Sequence, residues 1–580
     1  MRLFRPSEKK SIPARGIFHA HRWQEQSGGL HVDDRAPDGD SIEASEAGDW
    51  AGYGRVDFGD GGFDLFLAYA AAEAGGRRIE IRLDSPHGER IGILNVAATG
   101  AADLFREQYA PVSAVRGVRD LFLVFPDGPV GLNWFLFSTD PERETPAQRA
   151  ERMGWWSEAR FGQFVHWGPY SVLARGEWVM YQENWAREAY EAQAAARLKP
   201  VHFNAGNWIR ALADAGQKYI VVTAKHHDGF SMFDTHVRGF DPAGGEGGGG
   251  RYDIVDFTSW RRDPLQEIAR ECRRRSVRLG VYYSILDWHH ASQLPLADGS
   301  GLTDMLPGWK DRYVSEMMEQ LRELVEHYDP DLLWFDGDWG GKSWWWTESD
   351  GKALYRFLRA LKPALVVNER VKRDCGLGDF RTPEQFIPER GPAGDWESCL
   401  TMNDHWGYHA QDQHWKSGCE LIRSLVEVAS KGGNLLLNVG PKPDGTLPWN
   451  CREGLKSVGR WMRANGESIY GTSASPFDDP PSWGRFTAKD GRLYAHVFDW
   501  PQDRTLRLPA IRNVIGGGYA LRHPGTPLPF RRAGEAIEID LPARAPDPWD
   551  SVIVLEVDGV PEVVKEKAGS DGRSRWNDGR

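Results

Sequence analysis

Cysteine is scarce in this chain, with five residues among 580. They are Cys272, Cys375, Cys399, Cys419 and Cys451, an odd and scattered set without a C-x-x-C pair. That pattern excludes a disulfide framework and reads as reduced thiols. No apolar run reaches the ~18 residues that a membrane-spanning helix needs. The opening MRLFRPSEKKSIPARG carries charge but no apolar h-region, so no signal peptide is read there and a cytoplasmic location is expected. Positive charge is outnumbered, 71 Lys and Arg against 83 Asp and Glu, a formal −12. Nucleic acid, which calls for a basic stripe, is therefore not expected as a partner, and a neutral substrate suits the chain better. Three motifs are also missing. No G-x-G-x-x-G follows a strand-like run, no G-x-S-x-G elbow is present, and no H-E-x-x-H pairs two histidines on a helix.

Tryptophan is plentiful by contrast, with 26 residues. Large cores account for many of them, and flat rings also serve as platforms for the C–H faces of sugars.

The chain's length calls for several domains. Residues 16–138 read as short alternating strands broken by glycine turns, such as FDLFLAYA and DLFLVFPDG, which predicts a β-sandwich of jelly-roll type. A charged stretch, 139–154, reads as a linker. Over 155–474 apolar runs (FGQFV, KYIVVTA, VRLGVYYS, DLLWFD, ALVVN, NLLLNVG) alternate with amphipathic helical patterns, which predicts a (β/α)8 TIM-like barrel. Alternating strands return over 475–560 as a small C-terminal β-sandwich, and the polar, glycine-rich 561–580 reads as a disordered tail.

Barrels of this kind carry their chemistry at the C-terminal ends of the strands, so polar residues that close each apolar run are the candidates. FGQFV leads into His166, and IVVTAK into His226 and His227. VYYS holds Tyr283, LLWF ends in Asp336 after Trp334, and VVNE leads into Arg370. Glycoside hydrolysis requires one ionised and one protonated carboxyl group. Asp336, followed by Gly337, is the candidate for the ionised one. The protonated partner is sought in a loop, where Glu384 (RTPEQ) and Glu397 (DWESC) both qualify and spacing alone does not choose. A metal centre is disfavoured in the catalytic site, because adjacent His226 and His227 point opposite ways on a strand. A metal-dependent barrel hydrolase and a non-catalytic carbohydrate-binding protein remain the alternative classes.

The segments WWSEARFGQFVHWGPYSV, GEWVMY, AGQKYIVVTAKHHDGFSMFDT, GVYYSILDW, LLWFDGDW, VVNER, GDFRTPEQ and SKGGNLLLNVGPKPDGTLP follow one another from about Trp155 to Gly471. Their set and order resemble the α-L-fucosidases of glycoside hydrolase family 29. The resemblance implies a retaining exo-glycosidase that removes non-reducing terminal α-L-fucose from fucosylated oligosaccharides or glycoconjugates through a covalent β-fucosyl-enzyme. It needs no catalytic cofactor. The resemblance also implies Asp336 as nucleophile and Glu384 as acid/base, with Glu397 as second candidate. His166, Glu177, Trp178, His226, His227, Tyr283, Trp334 and Arg370 are implied as substrate-binding residues. Linkage preference and oligomeric state do not follow from these motifs.

Residues 16–137 separately resemble a family 6 carbohydrate-binding module, through SIEASEAGDWAGYGRVDFGDGG, GGRRIEIRLDSPHGERIG and GLNWFLF. That resemblance implies a structural calcium near Glu43 and a sugar cleft at Tyr53 and Asn133. After Thr99-Gly100 the chain continues AADLF, so the tryptophan that stacks on sugar in such modules is missing. A purely structural role for this domain is therefore an equal expectation.

Overall fold

The computed structural model describes residues 11–14, 16–36, 40–238, 250–295, 303–339, 345–534 and 536–564. Three regions follow one another along the chain, each with its own apolar core.

The N-terminal region is two facing sheets. One contains the strands Asp49–Asp57, Arg77–Leu83, Arg90–Val96 and Val118–Phe125, and the other Ser41–Ala44, Leu65–Ala71, Arg106–Pro111 and Val130–Ser138. Leu65–Ala71 and Val130–Ser138 are buried along their whole length. Side chains alternate across a strand with period two. Phe66, Ala68, Phe135 and Phe137 accordingly fill the sandwich, whereas Leu67, Tyr69, Trp134 and Leu136 join the core of the next domain. Trp134 stacks on Tyr69, packs 6.0 Å from Phe357, and donates from Nε1 to Glu319 at 2.8 Å.

Residues 139–154, expected as a linker, are instead a clamp. Helix Pro146–Ala159 begins at Thr145, whose side chain and that of Gln148 close a capping box. Arg152 is buried and binds both Glu144 at 2.7 Å and Asp379 at 2.8 Å. Burial would raise the Glu144 carboxyl, but its hydrogen bonds to Arg152 and Arg359 prevail and hold it at about 2. The charges that looked like a solvated linker are paired across the chain.

The central domain is built on parallel strands: β1 (Phe161–Val165), β2 (Tyr219–Lys225), β3 (Arg278–Ser284), β4 (Leu332–Asp336), β5 (Val366–Val367), β6 (Glu397–Thr401) and β7 (Asn434–Val439). They form one seven-stranded sheet in the order β5-β4-β3-β2-β1-β7-β6. Eight regular strands were expected, and seven are seen among the described residues. Between β5 and β6 runs the irregular segment 380–385, which pairs in parallel with both neighbours at Asn368–Phe380, Arg381–Trp396 and Glu384–Cys399. Its backbone bonds include Glu369 N to Phe380 O, 3.0 Å, and Glu397 N to Arg381 O, 2.8 Å. Pro383 has no N–H to give and Gln385 sits at φ +60°, so this stretch cannot run as a regular strand.

Helices Ala205–Ala215, Pro264–Arg275, Lys310–Glu323, Glu348–Leu361, Gly418–Ser430 and Trp449–Asn465 accompany the sheet. Asp263, Thr347 and Ser417 cap three of them. None of the described helices is long and apolar enough to cross a membrane.

The C-terminal region pairs a four-stranded with a three-stranded sheet. Val563 still pairs with Ile511, so the fold runs past residue 561, and the tail expected beyond it lies, from 565 on, outside the described residues.

Candidate active site

Asp336 ends β4 and points into a pocket of about 250 Å³ lined also by Phe164, His166, Trp178, His226, His227, Tyr282, Trp334, Trp339, Arg370, Arg373, Glu384, Cys399 and Trp406. The chain turns away immediately afterwards at Gly337, φ +80°, where a Cβ would lie 2.7 Å from the backbone nitrogen of Leu286. Only glycine fits there. Just past the end of the adjacent strand, the Asn368 amide exchanges two hydrogen bonds with the backbone of Phe335, at 2.7 and 2.9 Å, and so fixes the residue before Asp336.

The Asp336 carboxylate is buried and well bonded. Oδ1 accepts from Arg370 Nη1 at 2.9 Å and from Arg373 Nη2 at 3.4 Å, while Oδ2 accepts from the Tyr282 hydroxyl at 3.1 Å. Burial alone would raise its pKa. The charge of Arg370, helped by that of Arg373, outweighs burial and holds the group below the usual carboxylate range. Asp336 is thus ionised at neutral pH.

Arg370 is 2% exposed and lies over the face of Trp334, 4.5 Å from the ring centre. Its Nε donates to Thr382 Oγ1 at 2.8 Å, and Nη2 to Thr382 O at 3.2 Å and Glu384 Oε2 at 2.7 Å. A guanidinium has five donors. One goes to Asp336 and three to the 382–384 segment, and the second hydrogen on Nη1 has no acceptor among the described residues. Glu384 is the more exposed carboxylate, at 41% for its side chain, and stands at the pocket lining.

Glu397 lies elsewhere. It is wholly buried inside the sheet, where Oε1 accepts from Trp334 Nε1 at 3.1 Å and Oε2 from the Tyr219 hydroxyl. Burial pushes its carboxyl up to about 7, against the lowering effect of those bonds. It underlies the pocket floor and does not line the pocket.

His166 and His227 are neutral acceptors. Ser284 Oγ gives its one proton to Leu286 O at 2.5 Å, so His227 Nδ1, 2.7 Å from that oxygen, must be the donor of their bond. Asn438 gives its amide N–H to Trp406 O at 2.8 Å, which leaves its carbonyl to accept from His166 Nδ1, also at 2.8 Å. Burial holds both imidazoles down at about 4 and lowers His226 further. In a neutral ring with a protonated Nδ1, Nε2 is a bare acceptor. Among the described residues, His227 Nε2 and His226 Nδ1 are buried without a hydrogen-bond partner. Hydroxyl groups of a neutral, polar ligand would satisfy them.

Two residues expected to bind substrate stand apart from the pocket. Tyr283 points to the other face of β3. Its hydroxyl donates to Gln320 at 2.6 Å, and it lines a separate cavity of about 540 Å³ together with Lys225. Its neighbour Tyr282 takes the inward place, because it lies in register with Trp334. Glu177 accepts from Gly407 N at 2.8 Å and thereby holds the Trp406 loop, while Trp178 beside it lines the wall. Sequence reasoning missed Tyr282, Trp339, Arg373 and Trp406. For Tyr282 the parity of Trp334 and Asp336 was a usable signal, but only once the strand register is known.

A family model described as Alpha-L-fucosidase matches residues 139–467, and one described as Carbohydrate binding module (family 6) matches residues 19–139. The chain belongs to the alpha-L-fucosidase family. Among its curated relatives, the tissue alpha-L-fucosidase of Bos taurus is 32% identical over 397 residues, which are 64% of this chain and 81% of that one. Among solved structures, alpha-L-fucosidase isoenzyme 1 from Paenibacillus thiaminolyticus superposes with a TM-score of 0.62 at 34% identity, covering 71% of this chain and 99% of that one. The Thermotoga maritima alpha-fucosidase in complex with a mechanism-based inhibitor gives 0.59 at 28%, covering 72% and 99%.

In this member of the fucosidase family the sugar-binding features expected of the N-terminal module are enclosed. Tyr53 is buried with its hydroxyl on Ala20 O, and Asn133 is buried and donates to Asp40 O. The calcium expected near Glu43 meets a guanidinium instead. Arg35 Nη2 lies 2.8 Å from Glu43 and also binds Asp33, so a guanidinium already stands on the side of Glu43 where an ion was expected.

Proposed function

We infer that this chain is a retaining exo-acting alpha-L-fucosidase, with Asp336 as nucleophile and Glu384 as general acid and base. The observation that carries the assignment of roles is the Arg370 fork, which joins an ionised buried aspartate to a glutamate at the pocket lining. The pocket supports the exo mode: about 250 Å³ is smaller than pockets that enclose drug-sized ligands, and it suits one pyranose.

In the first step an Asp336 oxygen bonds to the anomeric carbon, the bond to the leaving oxygen breaks, and Glu384 gives that oxygen its proton. In the second step Glu384 takes a proton from water, the water oxygen bonds to the anomeric carbon, and Asp336 leaves as carboxylate. His166, His226 and His227 accept from sugar hydroxyls. Trp334, Tyr282 and Trp178 cover the ring and its methyl group. We read the domain as a (β/α)8 barrel in which segment 380–385 is the eighth, irregular stave. That irregularity lets Glu384 stand at the rim.

Proton NMR of an aryl α-L-fucoside digest tests the reading. The α-anomer of fucose should appear first and the β-anomer only by later mutarotation. First release of the β-anomer would overturn the retaining assignment. Asp336→Gly should be inactive until azide is added, and should then yield β-fucosyl azide.

A further inference from the structure

Arg370 is the one cation, among the described residues, that is bonded to both Asp336 and Glu384. We propose that its positive charge serves as the shared counter-ion for the single negative charge that passes between these two carboxylates during turnover. The proposal rests on the roles assigned above.

The charge balance of the two steps motivates it. Before glycosyl transfer Asp336 is ionised and Glu384 carries the proton. Afterwards Asp336 is a neutral ester and Glu384 is ionised, because its proton left with the aglycone oxygen. One negative charge is present in both states, but on a different residue. A cation bonded to only one of them would be unpaired for half of the cycle.

Arg370 meets this requirement without moving. Nη1 faces Asp336 and Nη2 faces Glu384. Nε and Nη2 are tied to Thr382, two residues before Glu384, and the guanidinium plane lies against Trp334. A donor array that is already oriented has no reorganisation cost when the charge shifts. A lysine would keep the charge but not the two-pronged geometry. The surrounding groups do not duplicate the arrangement. Asp336 also faces Tyr282, His227 and Arg373, with Asp338 behind Arg373, while Glu384 faces Cys399 and, more distantly, Glu177. Arg373 is bonded to Asp336 and Asp338 but not to Glu384.

The test compares Arg370→Met and Arg370→Lys with the full-length wild type, using aryl fucosides of good and poor leaving ability. Without the cation the two carboxylates should retain their shared proton more strongly. The basic limb of kcat/KM in Arg370→Met should move up by about one pH unit or more. The second step needs Glu384 ionised, so the fucosyl-enzyme should accumulate on a reactive substrate, visible as a burst and as a fucosyl adduct in intact-protein mass spectra. Arg370→Lys should leave the limb within about 0.3 unit of wild type while turnover falls roughly tenfold or more. An Arg370→Met enzyme with an unmoved limb and no adduct would overturn the proposal. If that variant does not fold, Arg370→Lys decides, and a limb displaced by about a unit would overturn it. Glu384→Gln, run alongside, separates the two levels of argument. Should Glu384→Gln keep the basic limb, the acid/base assignment itself fails, whatever Arg370 does.

Discussion

His227 Nε2 stands 3.7 Å from Asp336 Oδ2, and neither atom can offer the other a proton. A bare nitrogen acceptor beside an ionised oxygen is an arrangement that waits for a donor, and a sugar hydroxyl supplies one. His227→Ala should therefore lower kcat/KM by roughly 10–100-fold, the value of one or two good hydrogen bonds in a buried site. Ser284→Ala, which releases the tautomer but leaves the ring, should cost less. Steady-state kinetics on one aryl fucoside checks both, and equal losses would mean that Ser284 holds more than the His227 proton.

Acid should destabilise the fold through the same rings. The folded pKa of His166 and of His227 is about 4, below the ~6.5 of a free imidazole, so the unfolded chain takes up protons first as pH falls. The sign is then fixed. Stability is complete above about 6.5 and declines down to about 4, by roughly 3 kcal/mol for each ring. Asp336, held below the ordinary carboxylate range, adds to the loss at still lower pH. Melting temperature measured from pH 7 to pH 4 should fall, and His166→Asn should fall less steeply than wild type. Parallel curves would show that these rings do not govern the acid limb.

The N-terminal sandwich is fastened to the central domain by Trp134 and its neighbours, so removal of residues 1–138 should expose a broad apolar face and give an aggregating or strongly destabilised protein. Trp134→Ala in the full chain is the milder version and should cost about 3–5 kcal/mol in chemical denaturation. A truncated chain that melts like wild type would show the contact to be dispensable.

How far the site was legible in the sequence depended on the range of the signal. Asp336, His166, His226, His227 and Arg370 close apolar runs, and a residue in that place faces the C-terminal end of the sheet whatever the rest of the fold does. Tyr282 and Tyr283 are adjacent, and the choice between them is a matter of strand register, which no local pattern carries. Arg373, Trp339 and Trp406 reach the pocket from loops whose paths are set by distant contacts, such as that of Gly407 with Glu177. Segment 139–154 misled for a related reason, since Arg152 looks like a solvated charge until Asp379, more than two hundred residues away, is placed beside it. The pairing of segment 380–385 was hidden by Pro383 and the positive φ of Gln385, which break the strand pattern where the chain still makes parallel bridges.

Exhaustive chelation should leave turnover unchanged. Among the described residues, the histidines and acids that line the pocket form no group whose ligand atoms lie close enough together to share one ion. The groups of acids and histidines that could hold an ion among the described residues, Asp404 with Asp412 and His414, and Asp234 with Asp253 and Asp256, are not in the pocket lining. Melting temperature should be equally insensitive, because the Arg35 guanidinium already occupies the side of Glu43 that an ion would need. Loss of activity in EDTA that zinc or manganese restores would make the enzyme a metal hydrolase. A drop in melting temperature alone would return calcium to the N-terminal module.

Glu384 and Glu397 can be separated by the leaving group. A general acid matters most when the departing oxygen is a poor leaving group, as a sugar hydroxyl is, and least for an activated phenol. Glu384→Gln should therefore reduce hydrolysis of fucosylated oligosaccharides by roughly 10²–10⁴-fold and spare a dinitrophenyl fucoside far more in the first step. Glu397 has no access to the leaving oxygen, since its carboxylate is bonded to Trp334 and Tyr219 beneath the pocket floor. Glu397→Gln should harm both substrates in equal proportion. It also carries a stability signature of opposite sign to that of the histidines. Its carboxyl is raised to about 7 in the fold, so the stability it contributes is complete below the ordinary carboxylate value and is lost as pH rises through 7. A glutamine there cannot ionise, and the variant should gain on wild type above pH 7. If the leaving-group pattern appears instead in Glu397→Gln, while Glu384→Gln treats both substrates alike, the two glutamates have exchanged roles and the floor of the pocket must open during turnover.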